Sequence, residues 1–226
     1  MTNYRLSTRH SVARLVLNTL LVAVATAVLA MPLRAQQAEG DGERVAPDFR
    51  VGQWGAQFIA SSNFVGAGVL RFRSPQTAWT LDGTVAISTS SNSQQSLSFR
   101  VGDFSSASAS TRLGLRRYGE PHGPIRSFYG AGVHAGFGRT SSEAAQLVGY
   151  PPLKQTMTFY RAGAFGEVGA SYFVTSHLAL GARGVGMAGY NRHELDTKGG
   201  TVNVSQSSDG VYLNVGPLEL QVTLFF

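Results

Sequence analysis

From Phe49 to its end, this chain is written in segments of about ten residues in which apolar side chains alternate with small or polar ones. A period of two marks strands with two unlike faces, and clusters of Ser, Gly, Asn, Pro and Asp between the segments mark turns. Eight segments are countable: FRVGQWGAQFIA (49–60), FVGAGVLRFR (64–73), TAWTLDGTVAIS (77–88), ASTRLGLRRY (109–118), RSFYGAGVHAGFG (126–138), MTFYRAGAFGEVGASYFV (157–174), LALGARGVGMAGY (178–190) and a last one from about Val211. So many alternating strands, with no helical pattern between them, leave two architectures: a soluble sandwich of two sheets, or a single sheet closed into a barrel.

The linkers favour the barrel. Those at 74–76, 119–125 and 175–177 are short and those at 89–108, 139–156 and 191–210 are long, with only the first outer connection, Ser61 to Asn63, unusually tight. Short turns on one side, long loops on the other and an even strand count describe a transmembrane up-and-down barrel with both ends in the periplasm. The stretch QQSLSFRVGDF (94–104) also alternates. As a ninth span it would put the chain ends on opposite sides, so the fourth strand is expected to continue upward out of the membrane, with a bulge or bend at the Ser-rich SSASAS. The faces agree with this choice. A sandwich turns a face rich in Lys, Glu, Asp and Asn to water. Here charged residues are 14% of the chain, and the non-apolar face is mostly Gly, Ala, Ser and Thr with isolated charges, which suits a narrow lumen. Tyr118, Tyr129, Tyr160, Tyr172, Tyr190, Trp54, Trp79 and Phe137 lie on or near the segments, several of them where an aromatic belt would meet headgroups.

Ahead of the strands, Arg5, Arg9 and Arg14 precede an apolar run from Leu15 to Ala30, the pattern of a cleaved secretory signal (1–35) rather than an anchor, since the run is shorter than a span and holds Asn18, Thr19 and Thr26. Cleavage after Ala35 or after Ala30 fits equally. Residues 36–48, QQAEGDGERVAPD, read as a polar leader, and 49–226 as the barrel. The formal charge of +6 includes four arginines upstream of residue 36; the remainder keeps 15 basic and 13 acidic residues, 15 − 13 = +2, with no basic run, so nucleic acid is not an expected partner. With no cysteine there is no disulfide, thiolate metal site or lipid-anchor cysteine.

The last segment, LELQVTLFF, places Phe226, Leu224, Val222, Leu220 and Leu218 on one face against Phe225, Thr223, Gln221 and Glu219 on the other. Together with the strand count and loop alternation, this end resembles the small eight-stranded outer-membrane barrels of the OmpA/OmpX type, in the outer-membrane β-barrel domain superfamily, over residues 49–226. The resemblance implies that Phe226, Leu224, Val222 and Leu220 form a signal read by the barrel assembly machinery, with Leu224 where Tyr is common. It also implies outer-membrane lipids and lipopolysaccharide as neighbours, and outer loops open to an extracellular ligand.

Inward parity is expected to collect Arg71, Arg73, Arg112, Arg116, Arg161 and Arg183 with Asp82, Glu167 and Glu219. Charges in a narrow lumen have to be paired, so this set reads as a salt-bridge network filling the barrel, its positive surplus completed by water or an anion; a solute path lined by the same groups is the alternative. Catalysis needs a nucleophile and base together. His122 and His177 fall in short turns, His193 in an outer loop near Asp196 and Ser207, and His134 on an inward face; none forms a recognisable motif. GAGVHAGFG lies within a strand with no helix after it, unlike a phosphate-binding loop. No cofactor or metal is expected. The sequence thus points to a non-enzymatic outer-membrane barrel with a structural, envelope-integrity or surface-binding role, with a small pore or a lipid-modifying enzyme as alternatives.

Overall fold

A computed structural model describes residues 46–91, 95–96, 99–100, 103–144, 153–199 and 202–226. The expected signal (1–35) and residues 36–45 of the leader lie outside the described residues. The strands are β1 (Trp54–Ala60), β2 (Val65–Ser74), β3 (Thr77–Ser91), β4 (Asp103–His122), β5 (Ile125–Ala144), β6 (Leu153–Thr175), β7 (Leu178–Gly199) and β8, which runs in two stretches, Val202–Val215 and Glu219–Phe225. Each pairs antiparallel with the next, and β8 closes the ring by pairing Leu220–Phe225 with Gly55–Ala60 of β1. The architecture is an eight-stranded antiparallel barrel.

Its tilt follows from the register. Partners traced from Ala60 through Val65, Val85, Ala109, Phe137 and Tyr160 lead to Arg192 on β7, whereas the short way round, through Leu220, leads to Ala182. The stagger, 192 − 182 = 10 residues, is the shear of the barrel and sets a strand tilt of about 40°. Outward-facing aromatic residues form two girdles, Phe137, Tyr160 and Tyr190 above and Trp54, Trp79, Tyr129 and Tyr172 below, with exposed Leu113, Val133 and Val168 between them. Tyr160 and Tyr172 stand 172 − 160 = 12 residues apart on β6, roughly 30 Å along the axis at about 3.3 Å per residue and that tilt, which matches a hydrocarbon core.

The stretches expected as long outer loops at 89–108, 139–156 and 191–210 are largely strand: the β3–β4, β5–β6 and β7–β8 hairpins continue upward past the girdle. The described part of 94–104 forms a small ribbon, Gln95–Ser96 with Phe99–Arg100, and the start of β4, rather than a ninth span. Nor does SSASAS bend β4. Pairing is continuous on both sides from Ser105 to Ser110, where hydroxyls meet across strands (Thr84 Oγ1 to Ser110 Oγ, 2.6 Å), and the irregularity lies between Tyr118 and Pro121.

The lower end is closed from inside by apolar side chains. Leu70, Phe72, Tyr118, Phe128, Phe173 and Phe225 surround Phe49, whose ring stacks on Phe72 at 4.0 Å and lies 4.9 Å from Tyr118 and 5.3 Å from Phe225. The alternation alone puts Phe49 in the first strand and residues up to 48 in an unpacked leader; instead β1 starts at Trp54 and Ala46–Phe49 folds into the barrel mouth. Gly52, at φ +85°, makes the turn and donates its N–H to Phe72 O at 2.7 Å. Ala46 N–H bonds Gly123 O at 2.7 Å, and the Arg126 guanidinium donates to Pro47 O at 2.8 Å while lying over the Phe49 ring.

Candidate functional site

Above the aromatic plug the lumen is crossed by a charged layer. Asp82 from β3, Arg112 and Arg116 from β4, Glu167 from β6, Arg183 from β7 and Glu219 from β8 all point inward and are buried. Arg183 is the hub: its Nε reaches Glu219 at 2.7 Å, Nη1 reaches Glu167 at 2.8 Å and Nη2 reaches Asp82 at 2.7 Å. Arg112 clasps Glu219 with both terminal nitrogens, at 2.7 and 2.9 Å. Arg116 holds Glu167 through Nε and Nη2, at 2.7 and 3.1 Å, with its guanidinium over the Phe128 ring. Fork-to-fork pairing of this kind is the strongest form of the arginine–carboxylate bond, and inside a ring of paired backbone it is the way these charges tolerate burial.

The expected network was larger. Arg71 and Arg73 face outward, because the inward positions beside them, Leu70 and Phe72, belong to the plug; near the lower girdle the polar side of the strand is the headgroup side. Arg71 lies 5.3 Å over the Trp54 ring. Arg161 does face inward but sits above the layer and forms no ion pair among the described residues. The layer is therefore balanced, three guanidiniums to three carboxylates, and the surplus that asked for an anion is absent from it.

Between the charged layer and the upper end lies a cavity of about 290 Å³. Its floor is Arg112 and Glu219; its walls include Thr84, Ser110, His134, Phe159, Arg161, Met187, Tyr212 and Asn214, and Asn63 and Phe64 border it at the β1–β2 turn. His134 is buried, and its Nε2 shares a hydrogen bond with Tyr212 Oη at 2.5 Å. Arg161 stacks on Phe159, with its guanidinium 4.5 Å from the ring centre. His193 is in the β7 extension, beside Asn191 and opposite Ser208, rather than in a loop. His122 and His177 occupy the lower turns. Among the described residues no group of three or more His, Asp or Glu side chains is placed to hold a metal. Sequence reasoning missed Tyr212, Phe159 and Arg126; the signal for the first was the alternation of VYLNV (211–215), which puts Tyr212 on the lumen side.

The terminal face is as its alternation implies: Leu220 and Phe226 are exposed on the barrel exterior with the half-buried Val222 and Leu224, while Glu219, Gln221, Thr223 and Phe225 point inward.

No protein-family model and no curated protein matches this sequence. Among solved structures, the barrel is similar to a major outer membrane protein from Thermus thermophilus, with 12% identity over 77% of this chain and 98% of that one and a TM-score of 0.51. Acinetobacter baumannii CarO2 (8% identity, 79% and 100% coverage, TM-score 0.43) and neisserial surface protein A (17%, 77% and 95%, TM-score 0.36) are more distant in shape. At these identities the likeness is one of fold. The chain has the fold of the small outer-membrane β-barrels. A closed ring with an apolar exterior between two aromatic girdles makes it an integral protein of the bacterial outer membrane.

Proposed function

We propose that this protein is a non-enzymatic, non-conducting outer-membrane barrel whose work is done at the cell surface by the hairpins that rise above the upper girdle. The observation that carries this reading is the double closure of the lumen: a balanced layer of six paired charges across the barrel and, beneath it, an aromatic plug completed by Phe49. An eight-stranded lumen is just wide enough for side chains to fill, and here they do so at two levels. Against a lipid-modifying enzyme stands the pairing of His134 with Tyr212 rather than with a serine. Lipopolysaccharide packs against the belt, and the assembly machinery reads Phe226, Leu224, Val222 and Leu220. The extended hairpins offer Ser, Thr, Gln and Asn side chains to an extracellular ligand.

Planar-bilayer recording of the refolded protein, paired with mass spectrometry of lipid A and phospholipids from cells with and without it, tests the reading. Silent bilayers and unchanged lipids are expected. Stable single-channel steps, or an acylation pattern that depends on His134, would replace it with the pore or the enzyme.

A further inference from the structure

The barrel wall is incomplete on one side. β1 ends at Ala60 and β2 begins at Val65, joined by a tight turn in which Ser61 N–H bonds Phe64 O at 3.0 Å. Above that turn β3 continues from Ala86 to Ser91 and β8 from Val215 up to Val202, and among the described residues no strand pairs with the edges they turn toward each other. Two strands' width of wall is missing there. Side-chain exposure reports the same gap: Val211, Leu213 and Val215 are 88%, 85% and 78% exposed, against 48% for Leu113 and 65% for Val168 in the completed wall.

The gap lies at membrane depth. The row of partners that starts at Ala60 reaches the girdle residues Phe137 and Tyr160 four and five strands on. With strands about 4.8 Å apart and tilted about 40°, those residues stand about 12–15 Å above Ala60. The β1–β2 turn is thus sunk about 10 Å below the upper girdle, and the free edges above it face the outer leaflet. Unpaired backbone is tolerated at that depth only where it borders protein or a wet cavity. Here it borders the cavity described above, since Asn63, Phe64, Thr84, Ala86, Tyr212 and Asn214 line both. The charge left uncommitted in the cavity is that of Arg161; the carboxylate that lines it, Glu219, is held by Arg112 and Arg183.

We infer that this cavity is a laterally open binding site for a single-chain anionic amphiphile, whose carboxylate meets Arg161 inside the barrel while its chain leaves through the wall gap into the outer leaflet. The volume, about 290 Å³, is at the lower edge for a small-ligand site and holds a headgroup with the first part of a chain. Val211, Leu213 and Val215 then flank the chain where it meets lipid, and the carboxylate supplies the counter-charge that Arg161 lacks among the described residues.

Native mass spectrometry of the full chain purified from membranes in neutral detergent, with palmitate as the probe, tests this. A saturable one-to-one palmitate adduct is expected, with hexadecanol, which lacks the charge, retained far less. Arg161→Gln should lower occupancy about tenfold and Arg161→Lys should keep most of it, since the pairing is charge-assisted. Ala86→Trp or Asn214→Trp, which fill the gap from either side, should abolish it, and Arg71→Gln on the outer belt should change nothing. Heat-dependent gel migration checks that each variant is folded, and the hexadecanol comparison needs no variant. Equal retention of hexadecanol, undiminished palmitate binding by folded Arg161→Gln, or displacement of palmitate by millimolar inorganic phosphate would overturn the inference, the last by showing an anion site in which the gap has no part.

Discussion

Arg183→Met is the sharpest probe of the charged layer. Methionine matches much of the stem but removes three contacts of 2.7–2.8 Å, to Asp82, Glu167 and Glu219, from a side chain that is 1% exposed. Three carboxylates would then share two guanidiniums, and Asp82 would keep only Arg112, at 3.6 Å. Removing one partner from a buried ion pair costs about 3–5 kcal/mol, because the charge left behind has neither water nor a partner. Against a total stability of about 5–15 kcal/mol that is a large share. Urea titration of the barrel refolded in phosphatidylcholine vesicles, read by Trp54 and Trp79 fluorescence and by gel migration, should show a lower midpoint with an unchanged slope. Adding Asp82→Asn removes one orphaned charge and should restore part of the loss, a coupling of about 1–3 kcal/mol. Arg71→Met serves as the outside control: its contact with Trp54 is worth about 0.5–1 kcal/mol. An Arg183→Met barrel within about 1 kcal/mol of the parent, or an Arg71→Met loss of equal size, would refute the assignment of the layer as the structural centre of the lumen.

Phe49→Ala should cost about 3–5 kcal/mol in the same titration, the usual loss for an emptied aromatic site; a loss near zero would remove residues 46–49 from the fold. Deleting Phe226 should lower the assembled fraction in the outer membrane, measured by heat-modifiable protein in membrane extracts, far more than it lowers refolding yield in vitro; normal membrane levels would discard the assembly signal. Gly132→Val should destabilise the barrel and slow its folding, because a Cβ there meets Leu113 O and the Phe165 ring, 2.8 Å away; gel-shift refolding kinetics indistinguishable from the parent would count against that packing.

Strand number, the direction of the outer face and most of the charged layer were legible because a two-residue period carries over a whole wall. Where the layer was misread, the period was intact but the two sides had changed meaning: at Arg71 and Arg73 the strand has passed from a charged lumen to an apolar plug, and the outside has passed from oil to headgroups. Alternation alone carries no depth. Phe49 was misplaced for a related reason, since a lone aromatic ahead of a strand looks the same whether it continues the strand or turns, at Gly52, into the mouth. The tight Ser61–Asn63 connection was visible, but the hole it leaves needs the heights of β3 and β8, which only the ten-residue shear supplies. Tyr212 and His134 meet across the lumen from strands far apart in the chain, and no local pattern predicts such a meeting.

Phe49 touches rings from β2, β4, β6 and Phe225, the last residue of β8. Its seat is not complete until the last strand has found the first, because Phe225 becomes one of its walls only when β8 pairs with β1. The start of the folded chain is thus held in place by its finish. The seat of that ring is complete only once the seam is closed, so a fluorescent or spin-labelled side chain at position 49 would time ring closure separately from insertion of the hairpins. A barrel stalled with its seam unzipped would leave this ring without its Phe225 wall.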